Sequence, residues 1–293
     1  MNYILKTEYY EATFSTRGAE MVSLKNAAGQ ELLWQNNMGK GWSDHAPILF
    51  PFCGGMLDKT TYYKNVAYPV MQHGLALRTE FTLVEQTATS ITFVLTETEE
   101  TLAQYPFAFK LTVTYTFEGA KITLAASVDN TGSDVLPYSF GWHPGFVLFT
   151  DKGQDIEDYC LKFDNVDQLT WVRYHKGYHI PNDLIPYPLK DSAYHVCEKE
   201  IYDQDTMVFL GAGTKATLTA DGYPYALEMA WSENIPSLCI WKMANHDAKF
   251  LCIEPWTHAT IRGEKCNHWE HREAHRLAPG QSENFVYTLQ FKF

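Results

Sequence analysis

At 293 residues the chain is long enough for two average domains, but all-β units often exceed about 200 residues, so one domain over 1–293 is the simpler expectation. Its 35 acidic side chains outnumber 23 basic ones, for a formal charge of -12, and no Lys/Arg cluster runs along it, which excludes nucleic acid and anionic membrane as expected partners. Six cysteines form no CxxC pair and lie partly in apolar runs, the N-terminus turns polar too early for a secretory signal, and no apolar stretch reaches the ~20 residues that span a bilayer, so a soluble cytoplasmic protein with reduced core thiols is expected.

In chain order, residues 3–34 alternate short apolar runs at Ala12 to Phe14, Val22 to Leu24 and Leu32 to Trp34 with turn residues at Arg17-Gly18 and Asn26 to Gly29, the rhythm of short antiparallel strands. Residues 35–60 carry Asn36-Asn37, Gly39, Gly41, Pro47, Pro51 and Gly54-Gly55, and are expected to be loop, where binding residues tend to collect on a β scaffold. Strand patterns return at Phe81 to Leu95. The clearest period-2 stretch follows: Phe109, Leu111, Val113, Tyr115 and Phe117 alternate with Lys110, Thr112, Thr114 and Thr116, and a Gly-containing turn at Glu118 to Lys121 leads back along Ile122 to Val128. Prolines at 181, 186 and 188 argue against long helices in the mixed stretch 150–210. Further strands are expected at Ala216 to Ala220, Ala226 to Trp231, Leu238 to Trp241, Phe250 to Glu254 and Asn284 to Phe293. So many strands predict an all-β fold, a large antiparallel β-sandwich in which each strand buries one apolar face against the opposite sheet. The 18 Tyr, 17 Phe and 8 Trp suit such a core, and they are also the rings that pack on the C–H face of a pyranose.

Two stretches carry chemistry. Ser139 to Phe146 reads Ser-Phe-Gly-Trp-His-Pro-Gly-Phe, in which Pro144 biases His143 towards extended backbone while Gly141 and Gly145 are expected to allow sharp bends and close approach of a substrate. An imidazole aimed by backbone is poised for proton chemistry, although a His among aromatics is also a common structural residue. Phe250-Leu-Cys-Ile-Glu254-Pro-Trp256 offers a partner. An apolar strand that ends in a carboxylate and is stopped by Pro and Trp would leave Glu254 at a sheet edge, half in apolar surroundings, where desolvation raises its pKa towards the range of a general base.

With Gln72-His73-Gly-Leu-Ala, Ala46-Pro-Ile-Leu-Phe-Pro-Phe and Leu277-Ala-Pro-Gly, these motifs give a chain that resembles the aldose 1-epimerase (galactose mutarotase) family, most of all its bacterial LacX-like branch. The resemblance implies a galactose mutarotase-like β-sandwich and interconversion of the α and β anomers of a free sugar, with no cofactor and a small-molecule sugar as partner. By position it makes Glu254 the general base, His143 the general acid, His73 a second histidine that helps bind sugar, and Asp205 an acidic residue on a sugar hydroxyl. Ring opening needs a proton removed from the anomeric hydroxyl while the ring oxygen gains one, which a carboxylate and an imidazolium can do together. Trp142 in the motif itself, or Trp42 or Trp256, is expected to supply a stacking wall. Members of this branch usually carry Arg where this chain has Gly55 and again where it has Leu77. Arg78, one position later, is the candidate replacement for binding substrate, and His45 is a candidate member of a rearranged pocket. Since a guanidinium fork suits phosphate, the missing arginines make a phosphorylated sugar less expected.

Three other readings compete. Cys266, His268, His271 and His275 offer four metal ligands, with His271 and His275 on one face of any helix there, but Glu270, Arg272, Glu273 and Arg276 read as an exposed charged segment and the order fits no zinc-finger pattern, so no metal is expected. A glycosidase would need a second carboxylate opposite Glu254, with Asp205 as the candidate, and would leave His143 unexplained. A non-catalytic sugar binder or sensor on the same fold would account for the missing arginines but has no need of an acid and base pair.

Overall fold

The strand Phe109–Glu118 buries Phe109, Leu111, Val113, Tyr115 and Phe117 and leaves the residues between them half-buried or exposed, as its period-2 pattern requires. Gly119 and Ala120 turn the chain so that Glu118 pairs with Lys121, and Lys121–Asn130 returns in register. In the computed structural model, which describes residues 1–36, 41–151, 153–175, 178–204, 206–223, 225–243, 248–258 and 266–292, this hairpin lies within a nine-stranded sheet. On one side of it come Ser90–Thr96 and Thr82–Gln86; on the other come Ser282–Lys292, Ala226–Trp231, Lys215–Ala220, Tyr159–Phe163 and Ala193–His195.

A second, eight-stranded sheet runs in the order Tyr178–Ile185, Thr170–His175, Met207–Leu210, Ser237–Trp241, Phe250–Trp256, Gly141–Trp142 and Ile48–Leu49, with Gly145–Val147 also paired on Phe250–Trp256. Its paired strands are antiparallel, and its inner face packs on the first sheet: Phe140 stacks on Phe285 at 5.1 Å, and Trp142 meets Tyr287 edge-on at 5.8 Å. The fold is thus an all-β antiparallel sandwich. The described helices are short, none is long and apolar enough to cross a membrane, and the mixed stretch 150–210 holds five strands, Tyr159–Phe163, Thr170–His175, Tyr178–Ile185, Ala193–His195 and Met207–Leu210. Tyr178–Ile185 contains Pro181 and sits at the edge of its sheet, the position where proline is tolerated, and its pairing with Thr170–His175 shifts register between Leu184 and His179.

Two local expectations are corrected. The strand from Phe250 does not stop at Glu254 but continues through Pro255 to Trp256, so Glu254 lies in the sheet interior and is fully buried rather than half-exposed at an edge. The neighbouring strand is interrupted at His143-Pro144: pairing covers Cys252, Leu251 and Phe250 on one side of the break and Trp256 on the other. Ile253 N–H donates to the Pro144 carbonyl, and the next amide on that side would be that of Pro255, which has none to place. Gly141 and Gly145, for their part, make no left-handed turns. They are strand residues whose lack of a side chain admits rings, since a Cβ at Gly141 would lie 2.6 Å from Cδ1 of Trp256 and one at Gly145 would lie 2.5 Å from Cζ3 of Trp42.

Candidate active site

Alternation along the strands of the second sheet decides which residues meet the core and which meet the outside. In Phe250–Trp256, Leu251 and Ile253 join the main core, so Glu254 and Trp256 emerge on the opposite face. In Ser237–Trp241, Leu238 and Ile240 face inward and Cys239 and Trp241 outward. Phe140 and Trp142 point into the sandwich, which turns His143 out. These outward residues floor a cavity of about 550 Å³, walled by residues 41–44, 54–55, 72–73 and 77–78 together with Thr206.

His143 and Glu254 meet on that floor. His143 Nε2 lies 3.2 Å from Oε2 of Glu254, and their side chains are 8% and 0% exposed. The backbone fixes the histidine from below, with its N–H donating to the Pro47 carbonyl at 3.0 Å, and the ring of Trp42 lies over the imidazole with centroids 4.9 Å apart. Burial drives both groups towards their neutral forms. It pushes Glu254 well above the usual carboxylate range, against a smaller downward pull from Cys239 and Trp256, and it pushes His143 well below the usual imidazole range, helped by nearby His73. Two such groups in contact hold one proton between them over a broad pH range, which leaves one member able to give a proton while the other takes one.

His73 stands beside this pair, its ring 5.2 Å from that of His143 and perpendicular to it. Its Nδ1 accepts a hydrogen bond from the Gly54 N–H at 3.0 Å, so the neutral ring carries its proton on Nε2. Burial lowers its pKa to about 4, opposed by Asp44 and aided by Arg78, so His73 is a neutral donor at physiological pH. Gly74 lets the loop return tightly: at φ 82°, a Cβ there would sit 2.3 Å from the Phe50 carbonyl oxygen. The lowered pKa has a consequence for stability. His73 is neutral when folded but takes up a proton below about 6.5 when unfolded, so its contribution is present above 6.5 and lost as pH falls towards 4. Denaturant titrations at pH 7 and pH 4 should show His73→Gln losing about 2–3 kcal/mol less than the parent over that interval, and equal losses would refute the neutral assignment.

The remaining predicted residues divide. Arg78 lines the cavity, but its guanidinium is already committed: Nη1 and Nη2 donate to Oδ1 and Oδ2 of Asp44, each at 2.8 Å. Trp142 does not reach the cavity. It is fully buried in the core with its indole N–H donating to the Ala46 carbonyl, and Trp42, Trp241 and Trp256 form the aromatic walls instead. Asp205 lies outside the described residues, next to Thr206, which lines the cavity. His45 is not a lining residue; its Nδ1–H donates to the Trp34 carbonyl at 2.6 Å, and its backbone N–H is held by Glu20. The four candidate metal ligands of residues 266–275 are not gathered on a helix. His268 stacks on Tyr62, Cys266 donates to Asn267, and His275 lies in the strand His275–Leu277 and pairs with Glu283 at 2.9 Å. Among the described residues the one group of three potential ligands is His143, Cys252 and Glu254, whose ligand atoms lie within 4.8 Å of one another. Sequence reasoning did not single out Asp44, Gln72, Thr206, Cys239 or Trp241. Strand parity would have found the last two, since they stand one residue from apolar neighbours on the core face.

Residues 1–290 match the family model for aldose 1-epimerase. Protein LacX of Lactococcus lactis subsp. lactis is 29% identical over 276 residues, covering 91% of both chains. The solved structure of a galactose mutarotase related enzyme from Lactobacillus acidophilus is 27% identical, with a TM-score of 0.91 over 99% of this chain and 97% of that one. A galactose mutarotase-like protein from Lactobacillus casei, 22% identical, has the same fold at a TM-score of 0.87 over 99% of this chain and 100% of its own.

Proposed function

The chain belongs to the aldose 1-epimerase family, and from that premise we propose that it interconverts the α and β anomers of a free aldose by opening and reclosing the ring between His143 and Glu254. The observation that carries this reading is the 3.2 Å contact of Nε2 and Oε2 on the floor of a cavity of about 550 Å³. In an aldopyranose the two oxygens that exchange protons, O1 and O5, share a single carbon, so the acid and the base must stand almost within touching distance. A pair that holds one proton meets that need.

In the proposed cycle sugar binding moves the one proton that the pair holds from Glu254 to His143, and the Glu254 carboxylate then takes the O1 proton while protonated His143 gives its Nε2 proton to O5. The C1–O5 electron pair leaves with O5, an O1 lone pair closes the aldehyde, and rotation about C1–C2 presents the other carbonyl face. Reversal of both transfers restores the enzyme, so no cofactor is consumed. His73 donates its Nε2–H to a sugar oxygen, and Trp42, Trp241 and Trp256 offer apolar faces to the ring C–H groups.

The glycosidase reading is weaker, because among the described residues lining the cavity the one carboxylate besides Glu254 is Asp44, already held by Arg78. Magnetisation-exchange NMR on freshly dissolved aldohexoses tests the proposal. Acceleration of α/β exchange by the purified protein, with no sugar released from a panel of glycosides, is the expected result; exchange at the buffer rate for every aldose tried would overturn it.

A further inference from the structure

Arg78 is the one permanent cation among the described residues that line the cavity, and Asp44 cancels it. The two side chains meet fork to fork, with both Nη–H···Oδ bonds at 2.8 Å, at the rim where the segment 41–44 approaches residues 77–78. The Asp44 side chain is 15% exposed and that of Arg78 34%, and both line the cavity. Among the described residues that line the cavity no other fixed positive charge offsets Glu254, and the whole chain carries -12. Beside the pair, Gly55 leaves open space where a side chain would stand, since a Cβ built there meets nothing within 4 Å, and Leu77 adds no donor.

We propose that Asp44 is a specificity-determining residue that selects uncharged sugars by occupying the Arg78 fork. An aldose bearing a phosphate or a carboxylate has to displace Asp44 to reach the guanidinium and then leaves that carboxylate facing a second anion. A neutral sugar meets no such conflict. Each Asp44 oxygen keeps a lone pair that can accept a hydroxyl proton, and Arg78 keeps N–H groups outside the fork, so the pair offers adjacent acceptors and donors to neighbouring hydroxyl groups. The selection therefore comes from a carboxylate placed against anions as much as from contacts made to the neutral ring.

The inference rests on the reading of this cavity as a sugar site, and equilibrium binding tests it separately from turnover. Calorimetric titration of glucose and glucose 6-phosphate into the parent protein should show preference for the uncharged sugar. Asp44→Asn keeps the side-chain shape and one acceptor for Arg78 but removes the charge; it should bind the phosphate ester about tenfold or more tightly than the parent does, with the gain shrinking as salt rises. Adding Arg78→Gln to that variant should erase the gain, and circular dichroism on each variant checks that the fold is kept. A parent that binds the ester more tightly than glucose, an Asp44→Asn protein with unchanged relative affinities, or a gain that survives Arg78→Gln would each overturn the role given to Asp44. A protein that binds glucose in this way but does not exchange its anomers would overturn the proposed function and leave the role of Asp44 standing.

Discussion

Glu254→Gln is expected to slow anomer exchange by about 10²–10⁴-fold while leaving the protein at least as stable as the parent. The amide has almost the same shape and can still be buried at the centre of the strand Phe250–Trp256, but it cannot take the O1 proton. The stability half follows from burial. Because desolvation raises the folded pKa of Glu254, its stabilising contribution is fully present below about pH 4.5 and is lost as pH rises through that raised value, where the carboxylate must ionise in a buried site. Glutamine escapes that loss, so the stability difference in favour of the variant should widen with pH. Chemical denaturation at several pH values, run beside exchange NMR, measures both. A variant that retains most of the exchange rate, or one whose stability relative to the parent falls as pH rises, contradicts the role given to Glu254.

His143→Ala is expected to cost a similar factor, and the double variant little more than either single one, because the two groups act as one proton-transfer unit. The same coupling predicts a bell-shaped pH dependence of kcat/KM. On the acid side the pair acquires a second proton; since burial lowers the His143 pKa, that limb should have its midpoint below 6.5. On the alkaline side the shared proton is lost, and since burial raises the Glu254 pKa that limb should lie above 4.5. Both midpoints belong to the pair, and substitution of either residue should abolish the bell. An acid limb centred above 6.5, or a profile unchanged in His143→Ala, would show that some other group moves the proton.

How far the sequence foretold this arrangement depended on how local the signal was. The strand Phe109–Glu118 was readable because each apolar residue reports its own burial through a two-residue period. The pairing of His143 with Glu254, more than a hundred residues apart, has no local signature: residue type and an apolar strand before Pro offered Glu254 as a partner, and family resemblance assigned the base and acid roles. Glu254 was read as a strand-end residue because Pro255 normally stops a strand; it does not here, since the adjacent strand is broken at His143-Pro144, and that break is a property of two distant segments together. Trp142 and Trp42 were equivalent as candidate sugar walls in composition. Their fates differ because Trp142 shares strand parity with core-facing Phe140 while Trp42 arrives from a loop and fits over the side-chain-free Gly145. Asp44 was illegible for a further reason: nothing in residues 35–60 says which of their polar side chains will meet Arg78.

In the proposed reaction one monosaccharide ring sits with its two anomeric-centre oxygens between His143 and Glu254. A crystal structure of Glu254→Gln soaked with an aldose that the parent exchanges tests it most directly. The ring is predicted to lie in the cavity with O1 within about 3.2 Å of the residue 254 amide and O5 within a similar distance of His143 Nε2. A sugar bound with its anomeric carbon turned towards Asp44 and Arg78, away from residues 143 and 254, would contradict the account.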